Sequence, residues 1–124
     1  MENLLLVETK YTPEVEGDVN RNFLNISGSS YPENSNKFYK PVFEWIEEYF
    51  KNQSELTVNF YINYFNTSSS KCFMILIEML EEYQNKGCKI LANWHYKKDD
   101  EDILESGEEL FMGMDVDHKF IKID

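Results

Sequence analysis

Residues 56–85 read LTVNFYINYF NTSSSKCFMI LIEMLEEYQN. Leu56, Val58, Phe60, Ile62 and Tyr64 alternate with Thr57, Asn59, Tyr61 and Asn63, so one face of the segment is apolar and the other polar. A side-chain period of two belongs to a strand buried on one face. From about Ser68 the pattern becomes helical. It is apolar nearly all round from Cys72 to Ile77, turns acidic at Glu78, Glu81 and Glu82, and stops at Gly87, after a helix reaching Asn85. The apolar run predicts that the first half of this helix is buried. A half-buried strand running straight into a buried helix is the building unit of a mixed α/β fold.

The flanking segments repeat that unit. Lys89 to Tyr96 reads as a strand with Ile90, Ala92, Trp94 and Tyr96 on one face; Asp99 to Asp102 then opens a helix reaching about Phe111, and Lys119 to Ile123 reads as a last short strand. Upstream, Val42, Trp45, Ile46, Tyr49 and Phe50 are interleaved with Glu44, Glu47, Glu48 and Lys51, as in an amphipathic helix. Pro41 leaves two openings for it: a regular helix from Lys40 with the proline in its first turn, or a looser turn from Ser35. Leu4 to Glu8 and Asn22 to Ser27 read as short strands, with Pro13, Gly17 and Asp18 as turn markers. The order is ββαβαβαβ. Strands with one polar face predict a two-layer α/β sandwich, a mixed sheet covered by helices on one face, in a single domain over residues 1–124.

Composition narrows the function classes. Of 124 residues, 23 are acidic and 12 basic, for a formal charge of -11. Such a field repels phosphate backbones and anionic lipid, so neither nucleic acid nor a membrane surface is an expected partner. Met1 to Val7 lacks the basic start and long apolar run of a secretory signal, and no stretch approaches the roughly 18 apolar residues of a membrane span. A cytoplasmic location is the expectation. In that compartment Cys72 and Cys88 read as packing thiols, and the sequons at Asn25 and Asn66 lose their context.

Tyr64-Phe65-Asn66-Thr67-Ser68-Ser69-Ser70 stands where a buried strand ends and a helix begins. Free backbone N–H groups and the helix dipole favour an anion there. A phosphate on Thr67 or a neighbouring hydroxyl would be stabilised locally and would place about two negative charges on the surface. Composition alone favours a plainer reading, in which Asn66, Thr67 and Ser68 cap the helix. Four consecutive hydroxyl residues exceed what a cap needs.

Taken together, Tyr31-Pro32-Glu33-Asn34-Ser35, Asn66-Thr67-Ser68-Ser69, Trp94-His95-Tyr96 and Glu105 to Glu109 carry a family likeness over nearly the whole chain. The chain resembles the SiaC family of bacterial regulatory phosphoproteins. The resemblance implies a fold similar to the STAS domain of anti-sigma-factor antagonists; the residues themselves, with no nucleophile motif and no metal-ligand spacing, predict neither enzymatic activity nor a cofactor. The resemblance also implies a partner switch run by a cognate serine/threonine protein kinase and a metal-dependent, PP2C-type phosphatase. The phosphoacceptor that it implies is Thr67, in surroundings of Asn66, Ser68 and Ser69. In the family's best-known branch the unphosphorylated protein binds and activates a diguanylate cyclase, tying the switch to cyclic-di-GMP and biofilm behaviour. Tyr31, Glu33 and Asn34 become partner-binding candidates near the Thr67 corner, although a turn and cap would account for the same residues. A transcriptional output through an anti-sigma factor is the alternative within this class.

Other chemistries have weaker signals. His95 and His118 lack metal-ligand spacing. Cys88 or Cys72 with His95 could be imagined as the nucleophile pair of a small hydrolase, but no nucleophile motif surrounds either cysteine. The acidic run Asp99 to Asp102, with Glu105, Glu108 and Glu109, lacks the glycine and alternating ligands of a calcium loop and reads as a solvated helix face.

Overall fold

The computed structural model describes residues 1–124. Three strands, β1 (Leu4–Leu6), β2 (Glu14–Asp18) and β3 (Phe23–Ser30), lead into α1 (Ser35–Tyr49). Then follow β4 (Glu55–Phe65), α2 (Thr67–Asn85), β5 (Lys89–Lys97), α3 (Glu101–Phe111) and β6 (His118–Ile123). All six strands lie in one sheet in sequence order. β1, β2 and β3 pair antiparallel, whereas β3 through β6 pair parallel. The three parallel connections step the same way across the sheet, and right-handed crossovers then put α1, α2 and α3 on the same face. The chain therefore forms the expected mixed sheet with helices on one side.

Burial follows this layering. Leu24 and Ile26 on β3, Leu56, Val58 and Phe60 on β4 and Ile90, Ala92 and Trp94 on β5 are buried under Val42, Ile46 and Tyr49 of α1 and Phe73, Leu76 and Ile77 of α2. Trp94 is the largest fully buried side chain. Its indole N–H donates to the Ile103 carbonyl at 2.9 Å, and its ring lies against Gly107, where a Cβ would collide with the indole.

Four expectations need correction. First, Gly17 and Asp18 lie within β2, an additional strand that makes the order βββαβαβαβ. Gly17 belongs there because a Cβ would stand only 2.8 Å from the Trp45 ring; the glycine admits α1 against the sheet. The turn comes later, where the Asp18 carboxylate accepts from the Asn20 and Arg21 N–H groups at 2.9 and 3.0 Å and Asn22 has φ 58°. Second, α1 is regular from Ser35 and holds Pro41 within it. Proline costs one helical hydrogen bond, that of the Lys37 carbonyl, and both residues are exposed, so water can serve that carbonyl.

Third, the alternation of β4 breaks near its end. The register passes from Gly28 opposite Ile62 to Ser29 opposite Tyr64, so Asn63 is an extra residue. Such a bulge turns the following side chains over. Tyr64 is consequently 55% exposed, and Phe65 packs inward with ring centroids 5.3 Å from Phe73 and 6.0 Å from Trp94. Fourth, the first half of α2 is not buried all round, since Met74 and Ile75 are exposed.

The sheet's other face is polar and carries no helix. Asn59 donates from its amide to Asn25 at 2.9 Å and accepts from Asn93 at 3.0 Å. His95 stacks on Tyr61 with centroids 4.1 Å apart and its Nε2 lies 3.2 Å from the same Asn59 oxygen. That oxygen is an acceptor, so Nε2 carries the proton and Nδ1 is bare; Nδ1 is shielded and has no partner.

Two outcomes test this packing. Ala at position 107 should raise helix propensity by up to about 1 kcal/mol, but overpacking against Trp94 outweighs it, so Gly107→Ala should lower stability by about 1–3 kcal/mol in urea denaturation. Burial pushes the His95 pKa below its ordinary 6.5. The unfolded chain therefore takes up this proton first as pH falls, and stability is complete above about 6.5 and declines below it until the folded-state pKa is reached. His95→Gln should flatten that decline in pH-dependent melts relative to the parent; an unchanged slope would count against the assignment.

Candidate functional site

Because β3 and β4 are parallel, each delivers its chain to the same end of the sheet, and the N-termini of α1 and α2 meet there. Each helix is capped by an asparagine. Asn34 accepts from the Lys37 N–H at 3.0 Å, and Asn66 accepts from the Ser69 N–H at 2.9 Å. The Asn66 N–H donates to the Ser30 carbonyl at 3.0 Å, tying the start of α2 to the end of β3.

Between the caps runs a chain of hydroxyls. Tyr39 lies 2.6 Å from Ser30 Oγ, Ser30 Oγ lies 2.7 Å from Ser69 Oγ, and Ser69 Oγ donates to the Ser30 carbonyl at 3.0 Å. Ser35 Oγ joins Ser69 at 3.3 Å and Ser68 at 2.7 Å, and Ser68 also donates to Asn66 Oδ1 at 3.1 Å. Ser30, Ser35, Tyr39 and Ser69 are buried. Burial drives the Tyr39 phenol far above its ordinary pKa, with the Ser30 hydrogen bond opposing only part of the shift. It stays a neutral hydroxyl in a neutral network.

Thr67 differs from its neighbours. It is the first residue of α2 and is exposed, and its hydroxyl makes no hydrogen bond. Ser69 is sealed, Ser68 is exposed but engaged twice, and Thr67 offers a free hydroxyl at the mouth of two helix dipoles. The structure thus brings together Asn66, Thr67, Ser68, Ser69 and the Tyr31–Ser35 loop. Asn34 and Ser35 lie at the corner itself. Tyr31 stacks edge-on to Tyr64, at 5.7 Å, and to Tyr11, at 5.3 Å, so an aromatic strip borders the corner. Glu33 is exposed on the loop and makes no ion pair. Sequence reasoning missed Ser30 and Tyr39. Ser30 had a signal, because it continues the alternation of Leu24, Ile26 and Gly28 and so falls on the buried face; Tyr39 had none beyond its place in an amphipathic helix.

The hydrolase reading finds no support in this geometry. Cys88 precedes β5 and His95 lies near its far end, a separation of about 20 Å along an extended strand. Cys72 sits on α2, donating to Asn36 at 3.5 Å, and burial pushes its thiol away from the thiolate. Both cysteines are free. Asp100 caps α3 by accepting from the Ile103 N–H at 3.0 Å, and Glu101 and Asp102 occupy its first turn, so part of the acidic run serves that helix. No helix is long and apolar enough to cross a membrane.

Residues 6–123 match the family model described as SiaC family regulatory phosphoprotein. The chain belongs to the SiaC family. An uncharacterised protein of Pseudomonas aeruginosa strain UCBPP-PA14 is 34% identical over 110 residues, which cover 88% of this chain and 87% of the relative. SiaC of Pseudomonas aeruginosa superposes with a TM-score of 0.90 at 29% identity, over 99% of this chain and 100% of its own. A crystal structure of the diguanylate cyclase SiaD in complex with its activator SiaC, from the same species, contains a chain matching with a TM-score of 0.93 at 30% identity. That match covers 97% of this chain and 99% of the other. The regulatory class and the fold expected of a SiaC family member are thereby shown.

Thr67 and Ser69 should separate in stability measurements. Ser69→Ala opens the buried hydroxyl chain and should cost about 1–3 kcal/mol, whereas Thr67→Ala removes an exposed, unbonded hydroxyl and should stay within about 0.5 kcal/mol of the parent in thermal melts.

Proposed function

We propose that this SiaC family member is a binding protein switched by phosphorylation of Thr67, which engages an effector when bare and releases it when phosphorylated. The observation that carries this reading is the free hydroxyl of Thr67. Among the residues Asn66 to Ser69 it alone is exposed and unengaged, so a kinase can reach it without dismantling the fold. Modification adds about 1.5 to 2 negative charges. The N-termini of α1 and α2 favour an anion at this place, so the phosphorylated form loses little stability while its surface changes sign and shape locally. A cognate serine/threonine kinase and a PP2C-type phosphatase would write and erase the mark.

The effector class proposed is a diguanylate cyclase. The support is the close likeness to the SiaC chain found with SiaD, combined with an aromatic strip beside the switch, in which exposed Tyr11 and Tyr64 flank half-buried Tyr31. Tyrosines of this kind are favoured anchors in protein interfaces. Tyr31, Glu33 and Asn34 belong to that surface, with Asn34 also holding the start of α1. No catalytic step is assigned to the chain, and a cytoplasmic setting suits a partner that makes cyclic-di-GMP.

The test combines phosphosite mapping with binding. Protein purified from its native cells should carry a single phosphatase-sensitive phosphate on Thr67. In pull-downs from those cells, Thr67→Ala should retain a diguanylate cyclase and stimulate it, and Thr67→Asp should bind at least about tenfold more weakly, equivalent to about 1.4 kcal/mol. A phosphate elsewhere, or equal capture by both variants, would sink the proposal.

A further inference from the structure

The sheet face opposite the helices is polarised in charge along its width. Pairing registers align Leu5, Glu16, Asn25, Asn59, Asn93 and Lys119 in one row across all six strands. Beside it, Glu14 lies at the acidic end, Tyr61 and His95 stack at the centre, and Lys97 lies towards the basic end. Glu14, Glu16, Lys97 and Lys119 are all exposed. None has an ionic partner within the chain, whose one ion pair joins Lys51 to Glu48. The row between them is uncharged, amides bonded side by side with Leu5 61% exposed at one edge, and at the start of β4 and β5 the exposed Glu55 stands opposite Lys89, one acid against one base. Asn93 is only 8% exposed, and its Oδ1 lacks a partner.

A surface with acid at one end, base at the other and neutral amides between is complementary to itself under one operation. Rotation by half a turn about an axis lying between two facing sheets, parallel to their strands, reverses the strand order. β2 of each copy then lies over β5 of the other and β1 over β6, so Asn25 opposes Asn59, and Glu16 opposes Asn93 with Lys119 one strand, about 4.8 Å, to the side and within reach of its long side chain. We propose that this open face binds a second copy of the chain in that arrangement, as an isologous dimer.

Association through sheet edges is less favourable. β6 is six residues long and carries Lys119 and Lys122, and lysines on a short edge strand disfavour edge pairing. β1 offers just three residues. The open face spans six strands spaced about 4.8 Å and averaging about 20 Å in length, hence roughly 500 Å² a side. A standard interface buries about 800 Å² per partner, so the dimer is weak and concentration-dependent. The net charge of -11 opposes it at long range, but at physiological salt that repulsion is screened beyond about 8 Å, leaving the facing pairs to decide orientation.

Sedimentation velocity of the full chain, at fixed physiological salt and from about 1 µM to about 1 mM, should show a shift from monomer to dimer. Glu16→Lys and Lys119→Glu should each weaken association at least about tenfold, and the double reversal should restore it. Circular dichroism should show all three variants folded, because both positions are exposed. A monomer throughout, singles that leave association unchanged, or a double reversal that fails to restore it would each overturn the proposal. The assay does not involve Thr67, so its outcome is independent of the phosphorylation reading.

Discussion

Parallel pairing of β3, β4, β5 and β6 is the constraint from which the rest of the molecule follows. Strands that run the same way must be joined by crossovers, and crossovers of one hand that step one way leave all their helices on one face. They also leave every helix N-terminus at the same end of the sheet. Asn34, Asn66 and Asp100, the three caps, therefore lie along a single edge. The chain has an anion-favouring end and a helix-free face because of topology, before any particular side chain is considered.

That edge is held by neutral groups rather than ions. Ser30, Ser35, Ser69 and Tyr39 are buried polar residues, and each meets at least one hydroxyl partner. Buried hydroxyls left without partners would cost about 1–3 kcal/mol each. Closing them on one another locks the ends of β3, α1 and α2 together and leaves the charge balance of the corner unset. Whatever charge appears at Thr67 acts on a rigid, neutral base.

Sequence pattern carried most of the fold. The alternation from Leu56 to Ile62 and from Ile90 to Trp94, and the amphipathic spacing of Val42, Trp45, Ile46 and Tyr49, are periodic signals set by which face is buried, and all of those residues are buried. The misreadings arose where a distant contact overrides local preference. Gly17 reads as a turn residue but sits in β2 because Trp45 needs the space. Tyr64 follows the alternation on paper, but the bulge at Asn63 turns it outward. Met74 and Ile75 look like core, yet α2 faces the sheet through Cys72, Phe73, Leu76 and Ile77. The Thr67 corner was legible as a helix start with surplus hydroxyls. What the sequence could not display was which hydroxyl stays free, because Ser68 and Ser69 are engaged by Ser35 and Ser30, more than thirty residues away.

The consequence for switching is quantitative. A charge placed at the edge of a rigid corner does not have to unfold anything to be felt. Two unit charges about 4 Å apart at an effective dielectric near 20 interact by about 4 kcal/mol. A single carboxylate in a partner's docking surface, brought that close to a phosphate on Thr67, would thus shift binding by roughly a thousandfold. The same phosphate is offset within the chain itself, because it sits at the N-termini of α1 and α2, whose dipoles favour an anion. A corner built this way can carry the mark at small cost to its own stability while a bound partner feels its full effect, and that asymmetry is what a switch requires.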